Sequence, residues 1–228
     1  MRCVLAERNI GRPVLQRLVD PETGLETELN CWDDEQRRTF LDDAEVQDDP
    51  DYVFYVLLAN LGCRSGEAAG LLVSDLDLHE KDISITKQLL VEERVLGGLK
   101  NAKKRRGNGA RTFKMPSVVV EALSLHLAKP RKVADPKYAD FVFLNQDGTP
   151  VFTRNVNKRL QAHAARMGLP VITLHGLRHT CATAWARRGM DRSTLAYILG
   201  DNIETVDRYY THVTASAVEE AAKFMENS

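Results

Sequence analysis

The apolar positions of this chain repeat with two periods, and the change of period divides it into elements. Asp33-Asp34-Glu35 opens a predicted helix over 33–46, with its acids where the helix dipole favours negative charge. Asp49-Pro50-Asp51 caps a second helix, 52–61, which is apolar nearly all round and therefore belongs at the centre. Gly62 ends it, Ser65-Gly66-Glu67 starts a short helix through Leu72, and Ser74-Asp75-Leu76-Asp77 reads as a turn. The period then falls to two over 82–86 and again at Phe113-Lys114-Met115, with a further strand expected between them over 88–95. The Gly-, Lys- and Arg-rich stretch 97–109 reads as a loop. From Ser117 helical spacing returns at 118–127, 154–167, 176–188, 193–199, 203–212 and 215–225, while 141–143 is at most a short strand. The fold class is α+β and mainly α: a helical domain with a small antiparallel three-stranded sheet. Residues 1–31 carry turn formers and weak periodicity, and read as a linker or arm.

A chain of 228 residues is long enough for one large or two small domains with a real core. With 43% hydrophobic and 28% charged residues it has the make-up of an ordinary globular protein, not a disordered or fibrous one. No stretch approaches the roughly 18 apolar residues of a membrane span, and the first residues lack the apolar core of a secretory signal. Cys3, Cys31, Cys63 and Cys181 stand far apart, which suits a reducing cytoplasm and gives neither a disulfide framework nor a cysteine-based zinc site.

The net charge of −1 speaks at first against a nucleic-acid partner. Its distribution reverses that reading. Residues 33–51 hold nine acids against two bases. Residues 100–131 hold nine bases against one acid, and residues 152–192 eight bases against one acid. Charge is segregated along the chain, and the two basic regions point to a nucleic-acid-binding face.

Four local features can carry chemistry. In Gly62-Cys63-Arg64-Ser65-Gly66-Glu67 an arginine sits at a helix junction, where the glutamate can aim it at an anion; an ordinary surface ion pair is the plainer alternative. Lys100, Lys103, Lys104, Arg105, Arg106, Arg111 and Lys114 crowd one hairpin connection without an acid, as a phosphate-tracking finger or a solvated loop. His175-Gly176-Leu177-Arg178-His179 places a proton-exchanging imidazole and a phosphate-gripping guanidinium three apart on one helix face. A metal site on His175 and His179 is disfavoured, because Gly176 stands where a zincin has Glu and no third ligand is evident. His179 also fits a capping or core role. Last, Arg208-Tyr209-Tyr210-Thr211-His212 offers two phenols that need activation to act as nucleophiles.

In this order and spacing the four features resemble the catalytic domain of the tyrosine recombinases, or phage integrases. The first box resembles Gly62–Glu67 with Leu71 and Ser74–Asp77, the second His175–Thr180, and the third Leu199-Gly200 followed by Tyr210-Thr211-His212. The family's hairpin lysine most resembles Lys100, and Arg111–Pro116 the returning strand; the likeness runs from about Trp32 to Met225.

The resemblance implies site-specific cleavage and rejoining of double-stranded DNA, in integration or another recombination event of a phage or mobile element, with no metal or cofactor. Tyr210 would attack the scissile phosphate to give a 3′-phosphotyrosyl link and a free 5′-hydroxyl. Tyr210 is preferred to Tyr209 because the family's tyrosine precedes a small residue and a histidine, so Tyr209 packs inward. Arg64 and Arg178 would stabilise charge on the non-bridging oxygens, Lys100 would protonate the leaving oxygen with Lys103 and Lys104 as rivals, and His175 would assist proton transfer. Glu67 would hold Arg64, and Asp201 and His179 would support the site. Lys103, Lys104, Arg105, Arg106 and Arg111 would bind DNA. The implied setting is the cytoplasm, on the nucleoid. Other protomers would join in a synaptic tetramer through the C-terminal helix, and residues 1–31 would be the end of a preceding DNA-binding domain, with 32–228 the catalytic one. Asp201 departs from the family, which usually has His or Trp there. A carboxylate beside a phosphate repels it unless protonated or turned away, so a catalytically impaired DNA-binding relative is an alternative, as is a type IB topoisomerase-like relaxing enzyme.

Overall fold

A computed structural model describes residues 16–19, 26–29, 31–46, 49–90, 95–99, 109–207 and 209. Helix α1 spans Asp34–Val46 and is capped reciprocally: Asp33 Oδ1 accepts from Gln36 N (2.8 Å) and Gln36 Oε1 from Asp33 N (3.2 Å). Helix α2 spans Tyr52–Leu61 as its composition predicts. It is the axis of the domain, with Phe54, Tyr55, Val56, Leu57 and Leu58 all buried. Each such side chain contributes about 1.5–3 kcal/mol on leaving water. Phe40 of α1 meets Tyr55 edge-on at 5.5 Å. Gly62 ends α2 in the left-handed conformation (φ 63°), its N–H returning to Leu58 O.

Helix α3, Ser65–Ala69, is shorter than the predicted run through Leu72. Leu71 O accepts from Val142 N (3.0 Å) and Leu72 bridges Phe141, so these backbone groups serve the 141–143 segment instead of a helix. Part of the predicted turn is a strand. After a single 3-10 turn at Val73–Asp75, β3 (Leu76–Asp77), β4 (Asp82–Ile85) and β7 (Arg111–Lys114) form an antiparallel sheet in the order β3-β4-β7, with Ile83 opposite Phe113 and Ile85 opposite Arg111. The stretch expected to be one strand over 88–95 holds β5 (Gln88–Leu90) and the first residue of β6 (Val95–Gly97), which pair as a separate hairpin with Leu89 opposite Leu96. Within the predicted arm, β1 (Gln16–Val19) and β2 (Glu26–Leu29) also pair antiparallel.

Four helices follow: α4 (Ser117–Ala128), α5 (Thr153–Arg166), α6 (Leu174–Arg187) and α7 (Arg192–Leu199). Residues 203–207 are helical, and the predicted 215–225 helix lies outside the described residues. Helix α6 joins two apolar clusters, giving Leu177 to the larger one around α2, and Ala182 and Ala186 to a smaller one with Leu195, Leu199, Val206 and Tyr209. No helix among the described residues is long and apolar enough to cross a membrane.

The charge segregation is partly cancelled in space. Arg166 pairs with Asp43, Arg159 with Asp51 (2.5 Å) and Arg188 with Asp34 (3.4 Å), so bases of the 152–192 block fold back onto acids of the 33–51 block. These three arginines are not unpaired members of a basic face, which corrects the plain reading of the block count.

Candidate active site

The two apolar clusters meet where α2 and α7 both end, and polar groups gather at that seam. Gly200 closes α7 in the left-handed conformation (φ 65°), and Asp201 N returns to Ala196 O (3.0 Å). Two glycines make the seam possible. A Cβ on Gly62 would stand 2.6 Å from Leu199 Cδ2, and one on Gly200 would stand 2.7 Å from Arg111 Nη1. The ends of both helices thus turn carbonyl oxygens, the negative ends of their dipoles, toward a small group of arginines.

Arg178, on α6, is almost fully buried. Its Nη1 donates to Gly62 O (2.5 Å), and its Nη2 to Leu199 O (2.9 Å) and Asp201 Oδ2 (2.5 Å). Arg64, first residue before α3, keeps 19% of its side chain exposed. Its Nη1 donates to Glu67 Oε1 (2.9 Å), and its Nη2 to Gly200 O (2.8 Å) and Asp201 Oδ1 (2.5 Å). Residues far apart in the sequence therefore present two guanidiniums side by side, bridged by one carboxylate. Asp201 is neither turned away nor isolated, contrary to what its charge suggested.

Glu67 anchors the arrangement from beneath. Its fully enclosed carboxylate also accepts from Arg64 N (2.9 Å) and from Arg111 through Nη2 (2.7 Å) and Nη1 (3.3 Å). Burial alone would raise this carboxyl's pKa, but the charge and hydrogen bonds of Arg111, with those of Arg64, outweigh it and hold the group below its ordinary range. Arg111 donates its remaining contact to Ile198 O (2.7 Å), and its side chain is 2% exposed. This corrects its expected place among the DNA-contacting bases, because the guanidinium is enclosed between Glu67 and the end of α7. The alternation along β7 carries the signal: Arg111 shares a strand face with Phe113, opposite the core residues Ile85 and Ile83.

Arg64, Ser65, Gly66, Gln88, His175 and Arg178 line a cavity of about 260 Å³. That is near the lower end of the range for small-molecule pockets and leaves ample room for a phosphate group between the two arginines. His175 is exposed at its rim, with its ring 4.3 Å from that of His179. His179 is held neutral: burial, then the charges of His175 and Arg178, outweigh the opposite pull of Asp201 and lower its pKa to about 3. Tyr209 is buried, and its desolvated phenol is raised to about 12, so it donates to His179 Nδ1 (2.7 Å). A protonated, enclosed phenol is a poor nucleophile, as the inward packing expected of Tyr209 requires.

The profile of the phage integrase family matches residues 32–217. The chain belongs to the phage integrase family. Among its relatives in that family, the transposase from transposon Tn916 of Enterococcus faecalis is 29% identical over 210 residues, covering 88% of this chain and 51% of its own. Tyrosine recombinase XerC of Chlamydia muridarum is 32% identical over 149 residues, covering 64% of this chain and 44% of its own. The chain thus spans about half the length of the curated relatives it matches. Among solved phage integrase relatives, the Tn1549 transposon integrase in complex with a circular intermediate DNA superposes with a TM-score of 0.70 at 27% identity, covering 83% of this chain and 65% of that one. The catalytic domain of bacteriophage HP1 integrase shares the fold, with a TM-score of 0.55 at 23% identity, covering 86% of this chain and 95% of that one.

Of the residues the sequence singles out, the structure brings together Arg64, Glu67, His175, Arg178, His179 and Asp201, and adds Arg111 from behind. Lys100, Lys103, Lys104, Arg105, Arg106 and Tyr210 lie outside the described residues. Among the described residues, no group of three or more His, Cys, Asp or Glu side chains could hold a metal ion.

Proposed function

We propose that this chain is the strand-cleaving and rejoining domain of a site-specific DNA recombinase. What supports the reading most directly is the convergence of Arg64 and Arg178, 114 residues apart, beside His175 on one cavity with room for a phosphate. Tyr210 attacks the scissile phosphorus, forming a Tyr–O–P bond as the bond from phosphorus to the 5′-oxygen breaks. A hairpin lysine, Lys100 or its rivals Lys103 and Lys104, gives a proton to that oxygen, and the 5′-hydroxyl later reverses the step. Because each bond broken is replaced by one of like energy, rejoining needs no ATP. Arg64 and Arg178 stabilise the charge that develops on the non-bridging oxygens, an effect of about 3 kcal/mol per well-placed donor. His175, at the cavity rim, moves protons between phosphate, phenol and solvent. Glu67 and Arg111 hold Arg64 in position, and Lys103, Lys104, Arg105 and Arg106 track backbone phosphates.

Double-stranded DNA is the proposed substrate, and other copies of the protein join through the C-terminal helix in a synaptic assembly on the nucleoid. The test is a nicked suicide substrate carrying the cognate site, incubated with the intact protein. A covalent adduct is expected from the native chain and from Tyr209→Phe, and none from Tyr210→Phe; an adduct persisting in Tyr210→Phe refutes the assignment. The contact of Asp201 with both arginines favours a second reading, a relative that binds DNA without cleaving it. Sequence-specific binding with no adduct under any condition supports that reading.

A further inference from the structure

The two guanidiniums at the seam do not need Asp201 to hold them. Arg178 is fixed by Gly62 O and Leu199 O, and Arg64 by Glu67 and Gly200 O. Each Nη2 has two hydrogens, one directed to a main-chain carbonyl and the other to Asp201. Those second hydrogens converge on the two oxygens of a single carboxylate, each at 2.5 Å. This is the bidentate, charge-assisted geometry with which paired arginines take two oxygens of a phosphate. The backbone of Asp201 is pinned by its N–H to Ala196 O behind Gly200, whereas its side chain keeps 16% exposure toward solvent. Side-chain rotation about this pinned backbone is the movement by which the carboxylate would leave, with the carbonyl cradle in place.

We infer that Asp201 is a built-in competitor for the phosphate: its carboxylate takes one Nη2 hydrogen of each of Arg64 and Arg178 from beside the cavity that the two arginines line with His175, and a phosphodiester entering that cavity gains those two donors only by displacing it. The resting site is self-ligated, and contacts elsewhere along the nucleic acid must contribute the free energy that swings Asp201 out. The inference deepens the proposed reading of the site and rests on it, but its consequence for anion binding can be measured without strand cleavage.

Inorganic phosphate is titrated into the intact protein by isothermal calorimetry at low ionic strength, comparing native chain, Asp201→Asn and Asp201→Ala. The dissociation constant is expected to fall at least tenfold in Asp201→Ala, with Asp201→Asn between. Equal or weaker binding by folded variants overturns the inference and makes Asp201 a positioning residue for the arginines. If both variants fail to fold, the native protein decides by NMR. Saturating phosphate must then move the Asp201 carboxyl carbon together with the Arg64 and Arg178 side-chain resonances, and an unmoved carboxyl carbon is the overturning result. A Tyr210 adduct that never forms tests the cleavage reading and leaves this comparison intact.

Discussion

Replacing Arg111 with Met separates a buried structural arginine from a surface DNA contact. The substitution keeps much of the side-chain stem but removes the guanidinium that holds Glu67 Oε2 at 2.7 Å and Ile198 O at 2.7 Å. With the two partners 2% and 0% exposed, the pair is screened little by water. Deleting one member of a buried pair costs about 3–5 kcal/mol, because the other charge is left uncompensated. Here Glu67 keeps two contacts with Arg64, so the lower end, about 3 kcal/mol, is expected. For a domain of this size that lowers the melting temperature by about 6–12 °C and the urea midpoint by about 1 M. Equilibrium urea unfolding of Arg111→Met, Glu67→Gln and the double variant measures it, and the double variant should be less destabilised than the sum of the singles by more than about 1 kcal/mol. A stability change under about 0.5 kcal/mol, with DNA affinity losing about one unit of salt slope, refutes the burial argument and returns Arg111 to the nucleic-acid surface.

Two further predictions concern the same seam. Gly200→Ala forces a Cβ to within 2.7 Å of the Arg111 guanidinium at a left-handed φ, and a loss of about 2–3 kcal/mol is expected in the same unfolding assay; an unchanged midpoint contradicts the packing described. His179 is neutral in the fold down to about pH 3, while in the unfolded chain it takes up a proton near pH 6.5. Because the unfolded state binds more protons in that window, this contribution is present above pH 6.5 and is lost as pH falls, by about 2 kcal/mol at pH 5. The slope of stability against pH between 6.5 and 4 should be shallower in His179→Gln, and an identical slope contradicts the assignment.

How much of this was legible in the sequence depended on whether the deciding contacts are local. Helix α2 is read to the residue, because an all-apolar run bounded by Asp49-Pro50-Asp51 and Gly62 has one reading. The β5–β6 hairpin reads as one strand in the sequence, because Val91-Glu92-Glu93-Arg94 lacks the Gly, Pro or Asn that marks a turn. Arg64, His175 and Arg178 were recoverable as boxes with fixed spacing. The bridge from Asp201 to Arg64 spans 137 positions, and a carboxylate judged alone looks repulsive to phosphate. Its meaning emerges only once the helix ends have placed both arginines around it. Arg111 reads as a DNA contact because the basic loop beside it dominates the local composition, although the β7 alternation carries its inward direction.

The pairing of Arg159, Arg166 and Arg188 with Asp51, Asp43 and Asp34 bears on how this chain exchanges ions with its surroundings. A polyanion that neutralises a free lysine frees a condensed cation from its own atmosphere, and the entropy of that release drives binding. At these three arginines the anion to be displaced is tethered. The aspartate cannot diffuse away, so its displacement yields no translational entropy and exposes a negative charge beside the incoming phosphate. The chain carries part of its own counter-ion atmosphere covalently, and its count of basic residues overstates the number of cations that a polyanion bound on this face would release.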